Sequence, residues 1–63
     1  MKKIYYFSPE FNWEHFDDIP KMSEQECEQE SRQNSEVTCY DPKEFEFAFN
    51  FGVISDEGFI RIF

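Results

Sequence analysis

The single histidine of the chain, His15, lies among carboxylates, and this combination could carry chemistry. Glu10, Glu14, Asp17 and Asp18 stand close to it in sequence. A histidine beside a carboxylate can act as a general base, but catalysis also needs a pocket that positions both groups. Zinc usually takes further His or Cys ligands, and no Gly-punctuated calcium loop is present. We therefore interpret His15 as a surface or interface residue, and predict no enzyme activity, no cofactor and no metal site.

Two cysteines, Cys27 and Cys39, are the other reactive side chains. Neither lies in a CxxC pair or at zinc spacing from a histidine. Acidic neighbours disfavour the thiolate, so neither residue is expected to be a nucleophile. A disulfide between them would stabilise the chain by about 2–3 kcal/mol in an oxidising compartment. We interpret both as reduced, inert, small apolar residues.

Negative charge is the dominant property of the chain, with 14 acids, six bases and a formal net charge of -8. Such a charge repels nucleic acid and anionic membranes and attracts basic partners. In a helix over residues 23–34, Glu24 and Glu28, like Glu26 and Glu30, would stand about 6 Å apart along the axis. These acids could imitate part of a DNA phosphate track, together with four more: Asp17, Asp18, Glu36 and Glu44. The alternative, which is the commoner one, is a solvated face that keeps the protein soluble.

Aromatic residues make up 21% of the chain, and there is no leucine. We therefore predict a core built mainly from phenylalanines. Stacked rings can bind bases, but such platforms come with basic grooves, so we expect no direct nucleic-acid ligand. Trp13, Phe47 and Phe51 are predicted to anchor a protein interface, because large aromatics dominate binding hot spots.

Local signals predict a β-α-β-α-β order in one α+β domain spanning residues 1–63, with two helices against a small sheet. A β-branched and aromatic run predicts the first strand, an S-x-x-E capping box at Ser23 starts the first helix, and Pro20 is expected to break the chain before it. Residues 11–16 fit either a helical turn or a loop. The predicted elements are strand 3–7, helix 23–34, strand 36–40, a helix beginning at Pro42 and strand 59–63.

Residues 45–51 are ambiguous, because every second residue is apolar as in a half-buried strand. The start signal before them, Asp41 as N-cap followed by Pro42, and the stop signal at Gly52 both favour a helix. We predict that helix, with Phe45, Ala48 and Phe49 on its inner face.

A chain of this length buries only roughly 60% of its unfolded surface, so its stability is expected to be marginal. The opening MKKIYYF has too short an apolar stretch for a signal peptide, and no run is long enough to cross a bilayer. We expect a cytoplasmic protein that does not bind membranes.

From Met22 onward, about two-thirds of the chain resembles a group of small acidic proteins from gut-type bacteria and their mobile elements, for which no activity is established. The residues that carry the resemblance are the acidic segment 23–30, Tyr40, Phe45, residues 48–50, Ile54 and residues 59–62. The resemblance implies a helix–strand–helix–strand order and no particular activity. Phe47 and Phe51 depart from the pattern, where polar residues are expected, and this favours a partner or dimer surface on the second helix.

The sequence therefore predicts a non-enzymatic acidic interaction protein, an adaptor or inhibitor that docks on a basic protein surface. Imitation of nucleic acid, aimed at a nucleic-acid-binding protein, is its most specific form. The alternative is a small homo-oligomer or assembly subunit with an aromatic interface. The predicted partner-binding residues are Asp17, Asp18, Glu24, Glu26, Glu28, Glu30, Trp13, Phe47 and Phe51.

Overall fold

A computed structural model describes residues 2–63, apart from the side chains of residues 13–16. Its elements are β1 (Ile4–Phe7), a 3-10 helix (Trp13–Lys21), α1 (Glu24–Gln33), β2 (Val37–Tyr40), α2 (Pro42–Asn50) and β3 (Phe59–Ile62). The three strands form one antiparallel sheet in the order β2-β1-β3. The chain is thus a small α+β domain, and the predicted order is confirmed.

The first helix begins with the predicted capping box. The Glu26 amide donates to Ser23 Oγ at 3.2 Å, and Ser23 Oγ donates to the Glu26 carboxylate at 3.2 Å. Further along the helix, Arg32 pairs with Glu28 at 3.0 Å. A helix this acidic is unstable alone, so the cap and its packing on the sheet hold it.

The ambiguous segment 45–51 is helical, as the start and stop signals predicted. At its beginning, the Phe45 amide donates to the carbonyl of Asp41 at 2.9 Å, although the Asp41 side chain itself makes no capping bond. At its end, Gly52 has φ +72°, and the Val53 amide returns to the Ala48 carbonyl at 2.9 Å. This is a Schellman stop, for which glycine is the favoured residue.

The strand register divides the side chains between two faces of the sheet, because residues directly opposite each other point to the same side. The first face carries Tyr5, Phe7, Val37, Cys39, Phe59 and Arg61. The second face carries Ile4, Tyr6, Thr38, Tyr40, Ile60 and Ile62.

The main core lies on the first face, under α1 and the 3-10 helix. Its buried residues are Tyr5, Phe7, Phe11, Ile19, Cys27 and Val37. The rings of Phe7 and Phe11 meet edge to face, with 5.1 Å between centroids. Cys27 is the buried residue of α1, and Met22 packs against the same cluster.

A smaller core lies on the second face, where Tyr6, Ala48 and Ile54 pack together. The Tyr6 hydroxyl donates to the Ser55 carbonyl at 2.8 Å and accepts from the Ser55 amide at 3.0 Å. This pair of bonds fastens the loop between α2 and β3 to the central strand.

The prediction of a core built mainly from phenylalanines is wrong. Tyrosine and isoleucine supply much of it, while Phe47, Phe49 and Phe51 are exposed. A helix turns about 100° per residue, so phenylalanines at every second position spread around it and cannot all face the sheet. Phe49 is 49% exposed, and its predicted inner position is wrong; it stacks instead on Phe45, at 6.2 Å between centroids. Pro20 lies in the last turn of the 3-10 helix, which ends at Lys21, so the break before α1 comes one residue after the proline.

Candidate functional site

An exposed apolar surface at the end of α2 is the strongest candidate for a binding site. It consists of Phe47, Phe51 and Val53, which are 63%, 71% and 71% exposed, and we call it the aromatic surface. The two rings stack at 4.4 Å between centroids and 26° between planes. Adjacent exposed rings fixed on a capped helix form a preordered contact area, which is the type of feature that marks protein interaction sites.

A groove of about 430 Å³ continues from this surface towards the sheet. It is lined by Tyr40, Lys43, Glu44, Phe47, Ala48 and Val53. Its lining is mostly apolar, with one cation and one carboxylate among the lining residues. This mostly apolar lining suits the groove to accept an apolar side chain.

The segment of the chain that carries the aromatic surface is negatively charged. Between residues 41 and 58 the exposed charged residues are five acids and one lysine, namely Asp41, Glu44, Glu46, Asp56, Glu57 and Lys43. This sign favours a partner that carries lysine or arginine beside an apolar contact.

The predicted acidic surface lies elsewhere, on the α1 side of the sheet. Glu24 and Glu26 are exposed and Glu28 and Glu30 are half-buried. Two of the four are already engaged, Glu26 in the helix cap and Glu28 in the pair with Arg32. Asp17 and Asp18, also predicted to bind the partner, are exposed on the 3-10 helix.

The predicted partner-binding residues are therefore not brought together into one site. Because α1 packs on the first face and α2 on the second, the acidic residues and the aromatic surface lie on opposite sides of the sheet. The predicted anchor Trp13 and the candidate His15 have side chains outside the described residues. One flat partner surface cannot contact both sides at once.

The sequence did not predict a row of polar groups that crosses the first face of the sheet. Tyr5, Cys39 and Arg61 lie directly opposite one another in adjacent strands. Arg61 donates to the Met22 carbonyl at 3.3 Å, and its guanidinium lies 5.1 Å from the centre of the Phe63 ring. The available sequence signal was the position of Arg61 between two isoleucines. This alternation places Arg61 on the opposite face of the strand from the isoleucines, but it does not show which groups the arginine contacts.

Burial raises the pKa values of two side chains in the first-face core, Tyr5 and Cys27. Burial, and next the neighbouring Cys39, raise the pKa of Tyr5 to about 12. Burial is also the largest cause of the raised pKa of Cys27; Arg61 opposes the rise and nearby glutamates add to it. The acidic neighbours that the sequence pointed to therefore contribute less than burial does.

The raised pKa of Tyr5 predicts a loss of stability in alkali. The folded value of about 12 exceeds the ordinary 10.0, so the fold favours the neutral phenol. This contribution is fully present below pH 10 and is lost as the pH rises towards about 12, because the unfolded chain then releases a proton that the folded chain retains. Urea unfolding at a series of alkaline pH values should show the free energy of unfolding falling more steeply in the wild type than in Tyr5→Phe. Equal slopes would contradict the assignment.

Within the described residues, no group of three or more His, Cys, Asp or Glu is placed to hold a metal ion. Among the helices that the structure describes, none is long and apolar enough to span a membrane.

No protein-family model matches the chain, and no curated protein or solved structure resembles it closely enough to count as a match. The likeness to small acidic proteins of gut-type bacteria therefore stays a prediction.

Proposed function

We propose that this chain is a non-enzymatic acidic interaction protein, an adaptor or inhibitor, which docks through the aromatic surface onto a basic protein. The observation that carries the proposal is the pair of stacked, exposed rings of Phe47 and Phe51 beside an apolar groove. Exposing such rings has no benefit for the isolated fold, because burying apolar surface is the main favourable contribution to folding.

Charge supports a basic partner over a second copy of the chain. Each copy has a formal net charge of -8, and the segment that carries the aromatic surface, residues 41–58, has five exposed acids and one lysine. Pairing two copies through this segment would bring like charges together, which costs free energy. A basic partner gains both attraction during approach and complementarity once bound.

The docking is expected to depend on both rings. Phe47→Ser with Phe51→Ser should weaken binding by at least ~30-fold, because loss of a central aromatic anchor commonly costs about 2 kcal/mol or more. Tagged wild-type chain would be used to capture a basic protein from a native-cell lysate at low salt, and its affinity for each purified variant would then be measured.

Asn50→Ser is the matched control, since it changes an exposed polar residue of the same helix. It should bind like the wild type, and binding should weaken as salt rises. Equal affinity of the double phenylalanine variant and the wild type would rule out the aromatic surface.

Imitation of nucleic acid is the more specific form of docking on a basic protein, and it would use the acids of the α1 side in place of the aromatic surface. Charge reversal at Glu24, Glu28 and Glu30 should then abolish binding without unfolding the protein, and duplex DNA should compete for the captured partner. Unchanged binding by that variant would exclude nucleic-acid mimicry, and it would be consistent with docking through the aromatic surface.

The homo-oligomer is the second candidate, and the same exposed rings favour it. Sedimentation equilibrium separates the two functions, because salt screens repulsion between copies but weakens docking on a basic partner. If the chain forms a dimer whose affinity increases with salt, and if the Phe47→Ser, Phe51→Ser variant is monomeric, the homo-oligomer would be the function and docking on a basic protein would be excluded.

A further inference from the structure

The groove beside the aromatic surface has two charged lining residues, Glu44 and Lys43. Both are exposed, so water reaches each of them in the free protein. In the part of the chain that the structure describes, no hydrogen bond or ion pair engages the Glu44 carboxylate. The groove therefore contains an acceptor that the fold itself does not use.

The two charges leave α2 on different sides of the groove. Residues four apart on a helix are neighbours on one side of it. Glu44 lies one turn before Ala48, which is buried against the second face of the sheet, whereas Lys43 lies one turn before Phe47, which is 63% exposed. The carboxylate thus belongs to the side nearer the sheet, and Lys43 belongs to the outer side, where its flexible stem can turn to solvent.

Two aromatic rings, those of Tyr40 and Phe47, line the same groove. The Tyr40 ring is held edge to face against Phe45, with 6.0 Å between centroids. Phe47 stacks on Phe51 through one face of its ring, at 4.4 Å, so the other face is left for a further contact. A cation over such a ring face is attracted by its electrons, and arginine is found there more often than lysine.

These features favour a side chain that is apolar along its length and positively charged at its end. A purely apolar side chain would cover the Glu44 carboxylate without pairing it, which costs free energy. An acidic side chain would meet Lys43 but also the excess of acids in residues 41–58. Arginine has an apolar stem, and its planar guanidinium both stacks on rings and pairs with a carboxylate through two parallel hydrogen bonds.

We propose that this groove receives an arginine side chain of the basic partner, with its guanidinium paired to Glu44 and its stem on Ala48 and Val53. The inference rests on the proposed function and names the group of the partner that the groove recognises. The groove volume of about 430 Å³ lies in the lower part of the range for small-ligand sites, about 300–1,000 Å³. A groove of this size admits one long side chain.

A second copy of the chain is a poor source of this group, because both arginines of the chain are already engaged. Arg32 pairs with Glu28 at 3.0 Å. Arg61 donates to the Met22 carbonyl at 3.3 Å, and its guanidinium lies over the Phe63 ring. The arginine is therefore expected to come from a different protein.

NMR titration with blocked pentapeptides at low salt tests the inference. The probe has arginine at its centre and two alanines on each side. In two matched peptides the centre is citrulline, which keeps the shape of arginine without its charge, or norleucine. The arginine peptide should shift the amide signals of Glu44, Ala48 and Val53. It should also bind at least about fivefold more tightly than either matched peptide, because it adds an ion pair and a ring contact.

Substitution of Glu44 shows whether the groove carboxylate is responsible. Glu44→Gln should weaken binding of the arginine peptide by about threefold or more and leave the citrulline peptide unchanged. Glu46→Gln is the matched control, because it removes the same charge from an exposed position of α2 that does not line the groove. It should change the affinity by less than about twofold, since salt and water screen a distant charge. Lys43→Gln should bind the arginine peptide at least as tightly as the wild type does.

Several outcomes would overturn the inference. Equal affinity for the arginine and norleucine peptides would assign the groove to an apolar side chain. Equal losses in Glu44→Gln and Glu46→Gln would show attraction by overall charge alone. Tighter binding of a peptide with glutamate at its centre, lost in Lys43→Gln, would show that the groove recognises an anion. The absence of shifts at Glu44, Ala48 and Val53 at the highest peptide concentration would exclude the site.

The basic protein captured from the lysate separates this inference from the proposed function. Glu44→Gln is expected to weaken its binding, as it does for the arginine peptide. If Phe47→Ser with Phe51→Ser loses the captured protein while Glu44→Gln retains full affinity, docking through the aromatic surface stands and arginine recognition fails. If both variants retain the protein, the proposed function fails as well. Amide signals of β1 that match the wild type confirm that each variant is folded.

Discussion

Replacing Phe7 with alanine is expected to leave a large part of the population unfolded at 25 °C. Phe7 is fully buried at the centre of the first-face core, with the rings of Phe11 and Phe59 edge-on to it. Truncation of a buried phenylalanine costs about 3–5 kcal/mol. A domain of 63 residues has roughly 3–9 kcal/mol of stability in total, at about 0.05–0.15 kcal/mol per residue. The expected loss is therefore comparable with the total free energy of unfolding.

Urea unfolding followed by circular dichroism measures this loss. Phe51→Ala is the matched control, because it removes the same ring from a position that is 71% exposed. It should shift the free energy of unfolding by well under 1 kcal/mol. Similar losses in the two variants would show that the first face is not the main source of stability.

Gly58→Ala is expected to be the second most damaging change, at about 2–3 kcal/mol, even though it adds only a methyl group. A Cβ at Gly58 would overlap the ring and the hydroxyl of Tyr6. Tyr6 would have to move, and its two hydrogen bonds to the backbone of Ser55 would break. Overpacking and broken buried hydrogen bonds each cost about 1–3 kcal/mol.

The cause can be isolated with two further variants. Gly52→Ala places a methyl group in open space but at φ +72°, so it should lose only about 1 kcal/mol, from backbone strain. Tyr6→Ala destabilises by itself but removes the obstacle, so Gly58→Ala should cost little in that background. If thermal melting showed that Gly58→Ala costs the same in both backgrounds, contact with Tyr6 would not be its cause.

Local chemistry made most of the fold predictable. Ser23 and Glu26 form their capping box, and Asp41, Pro42 and Gly52 delimit α2 against a competing strand pattern. Each of these signals acts between residues close in sequence, so no knowledge of the tertiary structure was needed. The face of α2 that turns inward was predicted less well, because Phe45 and Phe49 are equally apolar and only the position of the helix over β2 separates them.

The arrangement of the candidate site depends on long-range geometry. Periodicity could not show that α1 and α2 lie on opposite faces of the sheet, and this places the acidic residues of α1 far from Phe47 and Phe51. Nor could it show that the loop at Ser55 is fastened by Tyr6, 49 positions earlier in the chain. The groove that joins Tyr40 to Val53 arises from contacts of the same kind.

The central position of β1 has a consequence for how the chain folds. Ile4 lies opposite both Tyr40 and Ile62, so the strand made first has no partner until much later residues emerge from the ribosome. Such non-local pairing folds slowly, and an unpaired Ile-Tyr-Tyr-Phe run is prone to aggregate meanwhile. Mutual repulsion between chains of charge -8 opposes that aggregation before any native contact exists. The acids would then protect the nascent chain as well as serving the finished protein.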